Sequence, residues 1–214
     1  MALVCGIDEA GRGPVIGPMV MAGVIIKKEK ENLLQDLGVK DSKKILPEKR
    51  ESLFEKITEL VDDYFIIQVS PDEIDSALSS ESMNLNWLEA QTQARILEKL
   101  CPEKAYIDCP SINVKAFCDY LKKRTSKACE LVVEHSADDK YPVCSAASIL
   151  AKVTRDREIK KLCAEHGDFG SGYPADPKTK EFIKANYNLP IFRKSWSTWK
   201  KIKEEKNQRG LMEF

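Results

Sequence analysis

Asp8 and Glu9 stand side by side in an otherwise apolar run, with residues 3–7 before them and 15–16, 19–22 and 24–26 after a glycine-rich turn. Apolar runs of this kind form buried strands, where an ionised carboxylate without a partner is costly. A second carboxylate next door compounds the cost, because like charges repel and raise one another's pKa. A bound metal ion removes both penalties. A strand end that lets the acids reach water is the ordinary alternative. Further along, Asp108 ends a strand-like segment directly before Cys109 and Pro110, and Asp138 and Asp139 precede a helix rich in small residues. Singly, these read as a turn acid and a helix N-cap. Taken together, Asp8, Glu9, Asp108 and one of the Asp138–Asp139 pair sit where strands end or helices begin, the edge at which α/β sheets gather ligands. An oxygen-only donor set suits Mg²⁺ or Mn²⁺ and not Zn²⁺.

One geometric demand follows. Neighbouring side chains on a regular strand face opposite ways, so both acids can serve one ion only if the strand twists or ends there. Gly11 is placed to allow it. The spacing Gly11-x-Gly13-x-x-x-Gly17 imitates a nucleotide-binding loop, but a strand pattern follows it, interrupted by Pro14 and Pro18. Without a helix N-terminus to hold a phosphate, the dinucleotide reading fails. What remains is close backbone approach: the Gly11 and Gly13 amides, next to a metal site, can read a ligand hydroxyl.

The elements that must position these groups follow from periodicity. Strands are expected at about 3–9, 15–27, 64–69, 105–108 and 129–134, and helices at 47–61, 71–78 (with Ser70 as N-cap), 84–100, 113–123, 146–162, 178–187 and 196–206. Hairpins first and βαβ units later predict an α/β fold, a mixed sheet with helices on both faces. The loop at 167–177 marks the boundary of a helical C-terminal cap. There, Arg193, Lys194, Lys200, Lys201, Lys203, Lys206 and Arg209 form a basic face, and Trp196, Trp199 and Ile202 an apolar stripe for packing.

Composition narrows the function classes. The 214 residues carry 34 basic and 34 acidic side chains, so bulk positive charge does not hold the chain to nucleic acid, although a local basic face can. Seven cysteines without a C-x-x-C pair, and only two histidines, argue against a zinc finger and for buried, reduced thiols in a cytoplasmic protein. No signal or membrane-spanning segment is expected. Neither histidine has a nucleophile motif beside it, which disfavours a Ser/His hydrolase.

These residues also carry a resemblance. Gly6-Ile7-Asp8-Glu9-Ala10-Gly11-Arg12-Gly13 with Gly17-Pro18 resembles the opening of type 2 ribonuclease H. Asp41-Ser42-Lys43-Lys44, Tyr106-Ile107-Asp108, Ala137-Asp138 with Lys140-Tyr141-Pro142, Ser145-Ala146-Ala147-Ser148-Ile149 with Ala151-Lys152-Val153 and Arg155-Asp156, and Phe169-Gly170-Ser171-Gly172-Tyr173 fit it in order. Archaeal-type members are the most similar. The resemblance implies an RNase H-like five-stranded mixed sheet flanked by helices. It divides the chain into a catalytic core (1–170), a small helical substrate-binding cap (171–207) and a tail (208–214). It implies hydrolysis of the RNA strand of RNA–DNA hybrids, including single ribonucleotides in duplex DNA, by two-metal in-line attack of water that leaves a 5′-phosphate and a 3′-hydroxyl.

By the same resemblance Asp8, Glu9, Asp108 and Asp138 are the catalytic metal ligands, which selects Asp138 over Asp139. Gly11, Arg12, Gly13 and Tyr173 read the 2′-hydroxyl, the group that separates RNA from DNA, and Ser42, Lys43 and Lys44 contact phosphates. The tail spaces Gln208, Leu211 and Phe214 as sliding-clamp-binding peptides do, without their second aromatic. A monomer is expected. The competing classes are a non-catalytic hybrid-binding module, which would be expected to lack at least one of the acids, and a DNA nuclease of related fold, which has no use for a 2′-hydroxyl reader.

Overall fold

Two strands with almost no water contact set the centre of the sheet. In a computed structural model of the chain, which describes residues 2–39, 45–126 and 128–212 (209–212 by backbone alone), β1 (Leu3–Ala10) pairs antiparallel with β2 (Met19–Lys27), and β2 is buried over all but its last residue. With β3 (Asp63–Val69), β4 (Lys104–Asp108) and β5 (Glu130–Glu134) they make a five-stranded sheet in the order β3-β2-β1-β4-β5. β1 runs parallel to β4, and β4 parallel to β5, so the sheet is mixed as expected. The helices are α1 (Glu31–Asp36), α2 (Pro47–Leu60), α3 (Pro71–Leu78), α4 (Leu85–Leu100), α5 (Val114–Lys122), α6 (Ala137–Lys140), α7 (Pro142–His166), α8 (Pro177–Asn186) and α9 (Ser197–Met212).

The chain divides into two compact units. The first comprises residues 1–10, 20–68 and 85–155. On one sheet face, Val4, Val20, Ala22, Val24, Ile26 and Tyr106 pack with the start of α7 in one core. Small residues permit that approach: a Cβ on Gly6 would overlap the backbone of Val143 and Cys144. On the opposite face Gly23 makes room for Ile96 and Leu100 of α4.

The second unit comprises residues 11–19, 69–84 and 156–214. Its core is Val15, Ile16, Phe169, Ile183, Ile191, Phe192, Trp199 and Ile202. Ser70 caps α3 as expected, accepting from Glu73 N at 3.2 Å while its own N–H donates to Glu73 Oε2 at 2.8 Å.

Three expectations change. The strand predicted over 15–27 starts only at Met19, because Gly17 adopts φ +82° and Pro18 has no N–H to give a ladder. Ile16 makes an isolated bridge to Phe192 instead. β1 does not end at the acidic pair: its register runs unbroken through Asp8↔Ala22 and Glu9↔Met21 to Ala10↔Val20. The thiols are free but not uniformly buried, with Cys5, Cys109 and Cys144 inside and Cys101 exposed. Among the described residues no helix is long and apolar enough to cross a membrane.

Candidate active site

Register explains how the acids meet. Gly6 pairs with Tyr106 and Ile7 with Ile107, so Asp8 and Asp108 come next on adjacent parallel strands. By strand alternation both lie on the face that packs against α7. α6 and the first turns of α7 bring Asp138 and Ser148 to the same face. The cost shows at Asp8, only 4% exposed. Burial pushes its carboxyl up to about 7, and the charges of Asp108 and Asp138 push the same way, against hydrogen bonds from Ser148 and the Glu9 N–H (2.7 Å).

Asp108 is held by backbone. Asp108 Oδ1 accepts from Ala137 N at 3.0 Å, which ties the end of β4 to the first residue of α6. Asp138 is 4% exposed, and its carbonyl accepts from the Ser145 hydroxyl, whereas Asp139 is exposed. That difference in burial runs the same way as the family pattern's preference for Asp138. Glu9, half-buried, lies by alternation on the other face; burial raises the Cys109 thiol, and the charges of Asp108 and Glu9 add to it. The four acids therefore flank the ends of β1 and β4 from two faces.

In chemistry this oxygen-only donor set suits a divalent cation. Three carboxylates in a poorly hydrated corner, one of them driven toward its neutral form, are stabilised when a hard cation takes the place of the proton. Among the described residues no three acid, cysteine or histidine side chains are grouped as a metal ion requires, so these acids stand as neighbours that feel one another's charge.

The second unit builds the hydroxyl-reading candidates. Gly11 has φ +79°, a conformation that glycine supplies without strain. The Tyr173 ring covers Gly13, where an added Cβ would stand 3.5 Å from its Cε1 atom, and Tyr173 is 44% exposed. Its loop is anchored on both sides: Val15 N donates to Gly172 O at 2.8 Å, and the buried Thr179 hydroxyl accepts from Gly172 N at 3.0 Å while donating to Phe169 O at 2.8 Å. Gly11, Arg12, Gly13 and Tyr173 are thus brought together within this unit.

Arg193 corrects one expectation. It does not join the basic face, being fully buried with its guanidinium spent on backbone carbonyls of this turn. Lys194, Lys200, Lys201, Lys203 and Lys206 remain exposed. Sequence reasoning missed the burial of Arg193: Lys194 follows it directly, so the pair reads as the start of the basic face. Ser42, Lys43, Lys44 and Phe214 lie outside the described residues; Gln208 is exposed near the end of α9, and Leu211 belongs to its last turn.

Comparison with known proteins gives the family. The family model described as Ribonuclease HII matches residues 5–199. The chain belongs to the ribonuclease HII family. It is 47% identical over 220 residues to the ribonuclease HII of Thermococcus sibiricus, covering 98% of this chain and 96% of that one. The crystal structure of ribonuclease H2 from Pyrococcus horikoshii superposes with a TM-score of 0.89 at 44% identity, over 95% of this chain and 98% of that one. The RNase HII in a PCNA:RNase HII complex from Archaeoglobus fulgidus gives 0.83 at 42% identity, over 91% and 94%. The RNase H-like fold and the archaeal type of ribonuclease HII follow.

Proposed function

We propose that this ribonuclease HII hydrolyses the RNA strand of RNA–DNA hybrids and cuts at single ribonucleotides within duplex DNA. The observation that carries the reading is that Asp8 and Asp108 stand on adjacent parallel strands and that Asp8 feels the charges of both Asp108 and Asp138, in a chain of this family. Asp8, Asp108 and Asp138 would hold divalent cations, Mg²⁺ or Mn²⁺, from one face of the sheet, and Glu9 would reach them from the other side of the strand ends. Bound cations of this kind supply an activated water and neutralise charge on the phosphate being cut.

The chain's own residues do the remaining work. The Ala137 N–H fixes one oxygen of Asp108 at the end of β4. Ser148 and the Glu9 N–H orient Asp8. The Gly11–Arg12–Gly13 backbone, which begins one residue after β1 ends, presents amides to the ribose 2′-hydroxyl, and Tyr173 stacks on the sugar and hydrogen-bonds through its phenol. Hydrolysis leaves a 5′-phosphate and a 3′-hydroxyl. Residues 1–170 form the catalytic core and 171–207 the substrate-binding cap, whose exposed lysines on α9 face the duplex. The tail, through Gln208, Leu211 and Phe214, binds a sliding clamp; the complex known for the Archaeoglobus relative supports this. The protein works in the cytoplasm.

The test is cleavage of duplex DNA carrying one ribonucleotide. Cutting next to that residue in Mg²⁺ or Mn²⁺, with a ligatable 5′-phosphate and none on all-DNA duplex, is expected. Equal cutting of all-DNA duplex, or binding of the hybrid without cutting in either metal, overturns the reading.

A further inference from the structure

Arg193 is a costly residue to keep. Its side chain has no exposure, and a buried guanidinium is tolerated only when its donors are matched. Three of those donors go to one short turn: Nη2 to Gly11 O at 2.7 Å, Nη1 to Arg12 O at 2.9 Å and Nε to Gly17 O at 3.0 Å. Trp196 adds a fourth tie, its Nε1 donating to Gly13 O at 3.0 Å, and its ring lies 4.9 Å from the guanidinium carbon. All of these residues belong to the second unit.

The consequence lies in the peptide planes. In a trans peptide the C=O and the following N–H point in opposite directions. Holding the Gly11 and Arg12 carbonyls against the guanidinium therefore turns the Arg12 and Gly13 N–H groups the other way. Gly13 is the glycine that the Tyr173 ring covers. The buried cation also polarises both peptides, which makes their N–H groups stronger donors. The Gly13–Pro14 peptide has no N–H to aim, and its carbonyl is held separately by Trp196.

We infer that Arg193, assisted by Trp196, is a positioning residue that sets the Gly11–Arg12–Gly13 amides for the 2′-hydroxyl, and so determines the preference for ribonucleotide over deoxyribonucleotide. This rests on the 2′-hydroxyl reading above. Lysine in its place offers one compact ammonium, which cannot span three carbonyls.

Arg193→Lys and the milder Trp196→Phe would be compared with wild type by kcat/KM on two duplexes, one with a single ribonucleotide and one with its 2′-fluoro analogue at the same position. Wild type is expected to favour the ribonucleotide. Arg193→Lys is expected to lose about 10-fold on it and Trp196→Phe about 3-fold, both with little change on the analogue. A parallel fall on both duplexes, or no fall on the ribonucleotide in Trp196→Phe, overturns the inference, and that variant decides the matter if Arg193→Lys does not fold. Wild type that fails to distinguish the two duplexes overturns the 2′-hydroxyl reading itself, and this inference with it.

Discussion

Asp8 loses its water to stand beside other carboxylates, and its carboxyl keeps a proton up to about pH 7. Its folded-state value lies above that of an unfolded aspartate, so the folded chain binds the proton more tightly. That contribution to stability is complete below about pH 4 and is lost as pH rises toward 7. Asp8→Asn removes the titration and keeps the side-chain shape. In EDTA at pH 8 the variant is expected to be more stable than wild type by about 1–3 kcal/mol in a denaturant melt, with the difference vanishing near pH 4. It should also lose hybrid cleavage. A variant less stable than wild type at pH 8 would contradict the view that Asp8 is held at a cost for the sake of a cation.

At the scale of elements, the site depends on how closely α7 lies on β1. Gly6 is the contact point, with no room for a Cβ against the backbone of Val143 and Cys144. Gly6→Ala must push the helix away or bend the strand, at roughly 3 kcal/mol, and would shift Ser148 relative to Asp8. A thermal melt and a cleavage assay on the variant should both fall; an unchanged melting temperature would show that the contact is looser than described. Much of this layer was legible. The small residues at Ser145, Ala146, Ala147 and Ser148 announced a helix packed close to a sheet, and apolar runs gave β1 and β2. Other features depended on tertiary context. The ladder through Ala10 is fixed by pairing with β2, which no local pattern at Asp8 and Glu9 discloses. α1 and α6 are too short to show a helical period. The burial of Arg193 follows from carbonyls 176 to 182 positions away in the chain, beyond the reach of any periodicity.

Across the whole molecule, zero formal net charge means that substrate is not captured by bulk attraction, and the exposed lysines of α9 supply a local basic patch. Cleavage of hybrids should weaken with salt only as steeply as a few phosphate contacts require. The tail makes a separable contribution. Deleting residues 208–214 should leave cutting of a one-ribonucleotide duplex within about twofold and abolish co-elution with an archaeal sliding clamp. Retained co-elution would place the clamp contact elsewhere. On the proposed function catalysis rests on the acids as a cation site, and the first measurement to make is single-turnover cleavage of the one-ribonucleotide duplex as Mg²⁺ is titrated, for wild type and Asp108→Asn. Saturable cutting by wild type, absent in EDTA and reduced at least about 100-fold in the variant at every Mg²⁺ concentration, is the expected result. Cutting that persists in EDTA, or an Asp108→Asn protein that matches wild type, would contradict it.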